Sequence, residues 1–129
     1  MTFTWDLRVR FADTDASGRI HYTAMFRYFE AAEFEFLRQR GTSYNDFPEC
    51  GFPRVHAECD YTGATLNDDL LTIAVTVARV GNSSFTYDFR ATLDGRSIAN
   101  GKITVVCLSR ATAQPQPVPD LLRRALTSQ

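Results

Sequence analysis

The sequence contains no long run of basic residues, and its charges almost cancel. Lys and Arg number 14 against 15 Asp and Glu, which gives a net charge of -1 at pH 7 and a pI of about 6.1. Proteins that bind nucleic acid usually present a basic patch to its phosphates. The composition therefore disfavours nucleic acid as the main partner, although a few arginines can still bind the phosphates of a small molecule.

Long apolar runs are also missing, and none approaches the roughly 20 residues that a membrane-spanning helix needs. Cysteine is scarce: Cys50, Cys59 and Cys107 form an odd set whose spacing fits no metal motif. The first residues, MTFTWDLRV, alternate apolar and polar side chains, which predicts a strand rather than a secretory leader. We therefore expect no membrane span, no metal site and a reducing, cytoplasmic location.

The apolar content is sufficient for one folded core. Hydrophobic residues make up 44% of the 129 residues, and ten Phe, five Tyr and one Trp are a generous aromatic set for this length. A chain of this size suits one domain. We predict a single domain over residues 1–129, in which residues 113–129 form a proline-containing tail with a short helix at 119–126.

A first strand and a long helix are predicted near the N-terminus. Apolar residues alternate over residues 3–11, which is typical of a half-buried strand. No Gly or Pro interrupts residues 23–40, so we predict a helix there with Thr23 as its N-cap and Gly41 just beyond its end. Its apolar face would contain Met25, Phe26, Phe29, Ala32, Phe36 and Leu37.

Four further strands are predicted after the helix. Alternating apolar residues mark them at about 55–61, 71–77, 85–93 and 97–108. Gly81-Asn82 and Asp94-Gly95 have the composition of hairpin turns, and Asn100-Gly101 suggests a bulge. This order predicts an α+β fold in which one long helix packs on a five-stranded antiparallel sheet.

A D-x-D-x-x-G motif, formed by Asp13, Asp15 and Gly18, lies between the first strand and the helix, which then carries Tyr-Phe-Glu at 28–30. With the turn at 81–86, this pattern resembles the 4-hydroxybenzoyl-CoA thioesterase-like family of hotdog-fold acyl-CoA thioesterases, over about residues 3–109. The resemblance implies a hotdog fold, a long central helix wrapped by a five-stranded antiparallel sheet. It also implies an enzyme that splits an acyl- or aroyl-CoA thioester into free acid and CoA.

The resemblance implies the catalytic groups residue by residue. The second Asp of the family motif is Asp15 here, which would attack the thioester carbon as nucleophile or activate water as general base. The backbone N–H of Tyr22, near the helix N-terminus, would hold the oxyanion. The Gly18 N–H would assist it or only permit the turn, and Asp13 would be a structural carboxylate.

Eight further residues are candidates for substrate binding. His21 would form part of the pocket wall, with an acid–base role as the alternative. Glu33 falls within the apolar face of the helix, so it needs an arginine partner or serves as a second carboxylate in the acyl pocket. The others would contact the acyl group or the pantetheine and phosphates of CoA: Phe26, Glu30, Arg79, Ser83, Ser84 and Arg110.

Several expectations concern substrate choice and partners. Arg19 and Glu33 depart from the family pattern, which affects the choice of acyl group, and His56 is expected at a surface or an interface. Family members build their sites between subunits, which implies a homodimer or a homotetramer made as a dimer of dimers. No cofactor is implied beyond the CoA of the substrate. Two alternatives stay open: a thioesterase for acyl-carrier protein, and a non-catalytic acyl-binding protein.

Overall fold

Five antiparallel strands form the sheet at the centre of the fold: β1 (Phe3–Arg8), β3 (Arg54–Tyr61), β4 (Leu70–Val80), β5 (Ser84–Leu93) and β6 (Arg96–Val106). They lie in the order β1-β4-β5-β6-β3. A short antiparallel pair, β2 (Cys50–Gly51) and β7 (Leu108–Ser109), was not predicted. The computed structural model describes residues 2–128, so Met1 and Gln129, the ends of the predicted domain, lie outside the described residues.

Helix α1 (Ala24–Gln39) lies against this sheet, with Thr23 at its N-cap, and Gly41 follows its end with a φ of +80°. The predicted position of the helix is therefore confirmed, and so is the hotdog arrangement of one long helix on a five-stranded sheet. The Phe29 ring stacks on Phe89 of β5, with 4.8 Å between ring centroids. Of the predicted apolar face, five residues are buried and Phe26 is half-buried.

The bulge predicted near Asn100-Gly101 is present but lies slightly earlier in the strand, since both of these residues pair in register with β5. The extra residue of β6 is Ile98, where the β5–β6 register shifts. Gly101 is needed for packing instead: a Cβ atom there would lie 2.3 Å from the Phe29 ring. In this strand the glycine therefore marks a close approach of the helix to the sheet.

The first strand is shorter than predicted. β1 ends at Arg8, and the chain then forms a 3-10 helix at Phe11–Asp13. Phe11, predicted as the last inward-facing residue of the strand, is 78% exposed. The strand ends early because the backbone bends into the motif, where the Thr14 hydroxyl donates a hydrogen bond to the Phe11 carbonyl at 2.7 Å.

Strand β3 is an open edge of the sheet, since among residues 2–128 it pairs with β6 only. Ala57, Cys59 and Tyr61 lie opposite buried residues of β6, so they share one face as predicted. The strand is nevertheless largely exposed, with Val55 61% and Tyr61 43% accessible to solvent. An alternating pattern thus identified the strand but not its place at the edge.

The tail ends in helix α2 (Asp120–Thr127), where the sequence predicted a short helix. Leu122 of this helix is fully buried in the core. The Arg40 guanidinium donates hydrogen bonds to the carbonyl oxygens of Ala125 and Ser128, at 2.9 and 2.5 Å, and so joins α2 to the end of α1. Among the described residues, neither helix has the length and apolarity that crossing a membrane requires.

Candidate active site

Asp13 anchors the motif turn to helix α1. Its buried carboxylate accepts hydrogen bonds from Arg27 at 2.5 Å and from the Tyr28 hydroxyl at 2.6 Å. The Tyr28 hydrogen bond is the largest influence on the pKa of Asp13, and with Arg27 it lowers that pKa in spite of burial. The Asp13 carbonyl also accepts the N–H of His21 at 2.8 Å. These contacts give Asp13 the structural position expected from the sequence.

Asp15 lies at the exposed side of the same turn. Its Oδ1 atom accepts hydrogen bonds from the hydroxyl of Ser17 at 2.5 Å and from the N–H of Ser17 at 2.8 Å. The Ser17 hydroxyl, followed by the Ser17 N–H, lowers the pKa of Asp15, so the carboxylate is ionised at neutral pH. Its Oδ2 atom accepts no hydrogen bond from residues 2–128. One oxygen therefore holds the turn, while the other has no hydrogen-bond donor in the described part of the chain.

The start of α1 supplies a free amide near this carboxylate. Tyr22 precedes the N-cap Thr23, and its N–H has no acceptor in the described part of the chain. Unpaired amides and the helix dipole favour negative charge at this end of a helix. Gly18, in contrast, donates its N–H to the Asp15 carbonyl at 3.0 Å and has a φ of +85°. Of its two expected roles, the geometry supports the one in the turn.

Asp15 and Tyr22 line one cleft with a volume of about 440 Å³. Two aromatic rings are accessible in it, since Tyr22 is 67% and Tyr61 is 43% exposed. The other lining residues are Arg19, Ile20, Gly63, Ala64 and Thr65. The residues that line the cleft thus include the ionised carboxylate of Asp15 and two accessible tyrosine rings, and one of these residues, Tyr22, also carries an N–H without an acceptor in the described part of the chain.

His21 supports the start of the helix. Its Nδ1 atom accepts the Thr23 N–H at 3.2 Å and lies 2.8 Å from the Thr23 hydroxyl oxygen. Its ring stacks on the Tyr22 ring, with 4.7 Å between centroids. His21 is not among the residues that line the cleft, and its Nδ1 atom is engaged by Thr23.

Glu33 has the arginine partner that its position requires. Its fully buried carboxylate accepts hydrogen bonds from Arg54 Nη1 at 2.7 and 2.8 Å and a further one from the Tyr44 hydroxyl. The Tyr44 hydroxyl is also 2.9 Å from that of Tyr87. Burial raises the pKa of Glu33, while the Arg54 charge and the Tyr44 hydrogen bond act in the opposite direction. The cluster lies in the core, and Glu33 does not line the Asp15 cleft.

The structure does not bring the predicted CoA contacts to Asp15. The Asp15 turn follows the end of β1, where Arg8 pairs with Leu70, whereas Ser83 and Ser84 follow Val80 at the other end of β4. Eleven residues of β4 correspond to roughly 33 Å. Arg79 is near that far end of β4. Arg110 also lies at this end, because it follows β7, and the Cys107 N–H just before β7 bonds the Ser83 carbonyl at 2.8 Å. Within one protomer these four residues therefore lie apart from Asp15, and their role in CoA binding stays a prediction.

Two helix residues are also outside the cleft. Phe26 is half-buried and packs edge to face on Phe29, at 6.2 Å between centroids, and Glu30 is exposed on the outer side of α1. Neither residue lines the cleft beside Asp15. The Phe-rich face of the helix belongs to the core rather than to this cleft.

Tyr61 and the loop that follows it were not predicted as site residues. The Tyr61 hydroxyl donates a hydrogen bond to the Tyr22 carbonyl. The loop closes the cleft because the Ile20 N–H donates to the Thr65 carbonyl at 3.0 Å, and Arg19 forms a bridge with Leu66. The sequence feature that could have indicated Tyr61 as a site residue is an aromatic residue at the end of a predicted strand, directly before a Thr-Gly turn.

Comparison with known proteins places this chain in a family. The family model described as the thioesterase-like superfamily matches residues 9–126, and so extends into the tail. A 1,4-dihydroxy-2-naphthoyl-CoA hydrolase of Synechococcus sp. (strain WH7803) is 31% identical over 129 residues, which cover 92% of this chain and 84% of the relative.

Solved structures agree in fold. A 1,4-dihydroxy-2-naphthoyl-CoA thioesterase from Synechocystis superposes with a TM-score of 0.94 at 21% identity, over 99% of this chain and 97% of that one. A gentisyl-coenzyme A thioesterase superposes with a TM-score of 0.86 at 27% identity, over 96% and 99%. The chain belongs to the thioesterase-like superfamily and is a hotdog-fold thioester hydrolase.

Proposed function

We propose that this protein hydrolyses aroyl-CoA thioesters to the free acid and CoA in the Asp15 cleft. The observation that carries the proposal is that Asp15, which has a carboxylate oxygen without a donor, and Tyr22, which has an N–H without an acceptor, line one cleft. The exposed rings of Tyr22 and Tyr61 suit a flat aromatic acyl group, because aromatic rings pack well on one another. Relatives named for dihydroxynaphthoyl-CoA and gentisyl-CoA support the same substrate class.

The chemistry follows one of two routes. In the first, the free Asp15 oxygen takes a proton from a water molecule, whose oxygen attacks the thioester carbon. In the second, the same Asp15 oxygen attacks that carbon and forms an anhydride, which water then hydrolyses. In both routes the oxyanion accepts the Tyr22 N–H, and the carbonyl re-forms as the C–S bond breaks and CoA leaves as its thiolate.

A substrate panel tests the proposal. Aromatic and aliphatic acyl-CoAs are compared with the same acyl groups on acyl-carrier protein, and kcat/KM is measured by thiol release. We expect the largest values for aromatic acyl-CoAs. A preference for the protein carrier would identify an acyl-carrier-protein thioesterase, and binding without turnover would identify an acyl-binding protein. Either result would overturn the proposal.

Replacing Ser17 by Ala is expected to move the acidic limb of activity to higher pH. The Ser17 hydroxyl is the largest cause that lowers the pKa of Asp15, and the N–H of residue 17 still holds the turn in the variant. Because the reaction needs the ionised carboxylate, activity is lost as the pH falls through this pKa. The pH profile of kcat/KM measures the shift, and an acidic limb identical to the wild-type limb would contradict it.

We further propose that the working unit is a homodimer paired through β3. Open edge strands with apolar side chains are templates for pairing with another chain, and β3 has this character. In a two-fold antiparallel pair, the partner's Arg54 lies towards the Tyr61 end of this strand. The partner's β4–β5 hairpin, with Ser83 and Ser84, would then approach the Asp15 cleft and could supply the CoA contacts that one protomer does not bring there.

Val55→Lys is expected to separate the dimer and to abolish most of the turnover, because it places a charge on the exposed pairing edge. Thr4→Lys on β1, the opposite edge strand, is the matched control and should keep both properties. Sedimentation at several protein concentrations, with kcat on the same samples, measures the outcome and separates a dimer from a tetramer. A monomeric variant with full turnover would show that the site needs no partner.

We also propose a reducing, cytoplasmic location. Cys50, Cys59 and Cys107 are free thiols, and two of them are buried. Burial raises the pKa of Cys59, and it raises the pKa of Cys107 to about 11, so both remain protonated at neutral pH. Such thiols react slowly, which suits a structural role in a compartment that keeps cysteines reduced.

A further inference from the structure

The residue that carries the free amide has few fixed contacts of its own. Tyr22 lies before the N-cap of α1, outside the helical hydrogen-bond ladder, and its side chain is 67% exposed. On its N-terminal side the His21 N–H bonds the Asp13 carbonyl, and the carbonyl of the His21–Tyr22 peptide group accepts the Ala24 N–H at 2.9 Å. On its C-terminal side the Tyr22 carbonyl accepts the hydroxyl of Tyr61, from a strand that lies 39 positions further along the chain.

This contact joins the edge strand β3 to the start of α1 across the cleft. Tyr61 is the last residue of β3, and its ring lines the cleft beside Asp15 and Tyr22. Burial, with a smaller effect of the nearby Cys59, raises the pKa of Tyr61 to about 12. The hydroxyl therefore stays protonated and can donate its hydrogen bond throughout the neutral range.

We propose that Tyr61 is a positioning residue for thioester hydrolysis: its hydroxyl holds the peptide group after Tyr22, the Ala24 N–H holds the peptide group before it, and together they fix the backbone from which the Tyr22 N–H meets the oxyanion. The proposal rests on the function proposed above. A donor aimed at developing charge is effective only when its direction is fixed before the reaction. Tyr61 contributes one of the two contacts that fix this direction, and it does not itself take part in the bond changes.

Tyr61→Phe tests this role because it removes the hydroxyl and keeps the ring in the cleft wall. We expect kcat to fall about fivefold to tenfold, the value of one neutral hydrogen bond, with KM unchanged. Thr62→Val is the matched control: it removes the neighbouring hydroxyl, which bonds Ser97 at 2.7 Å, and should leave kcat at the wild-type value. A Tyr61→Phe enzyme with wild-type kcat would overturn the proposal.

The assay distinguishes this proposal from the proposed function. It uses a substrate that the wild type hydrolyses and that Asp15→Asn does not. If no substrate separates these two proteins, the proposed function fails. If Asp15→Asn is inactive and Tyr61→Phe is fully active, only the role of Tyr61 fails.

Fluorination gives a second measurement that does not depend on the folding of the Phe variant. Difluorotyrosine at position 61 keeps the ring and lowers the phenol pKa below the value of about 12 that Tyr61 has. A phenolate cannot donate a hydrogen bond, so kcat should fall as the pH rises through that pKa, while the wild type shows no such limb. A profile that matches the wild type would refute the role of the Tyr61 hydroxyl.

Discussion

Asp15→Asn is expected to lower kcat by about 10³-fold, within the range that general acid–base catalysis contributes. The amide oxygen of Asn can still accept the two Ser17 hydrogen bonds that hold the turn, so the fold and KM should persist. What is lost is the ionised oxygen, since an amide neither takes a proton from water nor attacks the thioester carbon. Steady-state thiol release from an aroyl-CoA, with circular dichroism of the same sample, measures both properties.

Asp88→Asn is the matched control for this experiment. Asp88 is a solvent-accessible carboxylate of β5 that pairs with Lys102 at 2.5 Å and lies outside the Asp15 cleft. The same change of charge there should leave kcat at the wild-type value. Near-normal turnover of Asp15→Asn would remove Asp15 from the mechanism, whereas equal losses in both variants would indicate an effect of net charge.

The sequence predicted the parts of the fold that depend on local patterns. The interval without Gly or Pro located α1 between Thr23 and Gly41, because helix ends depend on nearby residues. Alternation located the strands, but it has the same form in a central and an edge strand. The exposure of β3 therefore became visible only when the strand order was known.

The candidate site also contains residues that local patterns predict and residues that they do not predict. The turn that holds Asp15 and the position of Tyr22 just before the helix are encoded within a few residues, and the motif located both. Tyr61 contacts the site through one hydrogen bond to a backbone carbonyl. Every residue has such a carbonyl, so the sequence does not indicate which residue accepts this hydrogen bond. The positions of Ser83 and Ser84 depend on the length of β4, and their use would depend on a second copy of the chain.

Arg54→Met is expected to destabilise the fold by roughly 3 kcal/mol, because it leaves the Glu33 carboxylate buried without its cation. For a chain of this size, such a loss lowers the thermal midpoint by about 10 °C. Thermal unfolding at one fixed protein concentration measures it, since assembly alters the midpoint. Arg38→Met breaks the exposed Glu35–Arg38 pair instead and should change stability by less than about 0.5 kcal/mol.

Lowering the pH should reduce the difference in folding stability between Arg54→Met and the wild type. Burial raises the pKa of Glu33, and loss of the guanidinium raises it further. A carboxyl whose pKa is higher in the folded state stabilises the fold below its unfolded pKa, and this contribution disappears as the pH rises through the folded pKa. The variant should therefore recover stability, relative to the wild type, as the pH falls towards the ordinary pKa of a glutamate.

The double variant Glu33→Leu with Arg54→Met separates the buried charge from a general loss of packing. Removing both members of a buried pair is often neutral for stability, whereas removing one leaves the other uncompensated. Tyr44 loses an acceptor in this variant but keeps the hydroxyl of Tyr87 at 2.9 Å. The double variant should therefore be more stable than Arg54→Met alone, and a double variant that is less stable would show that Arg54 acts through its packing rather than through Glu33.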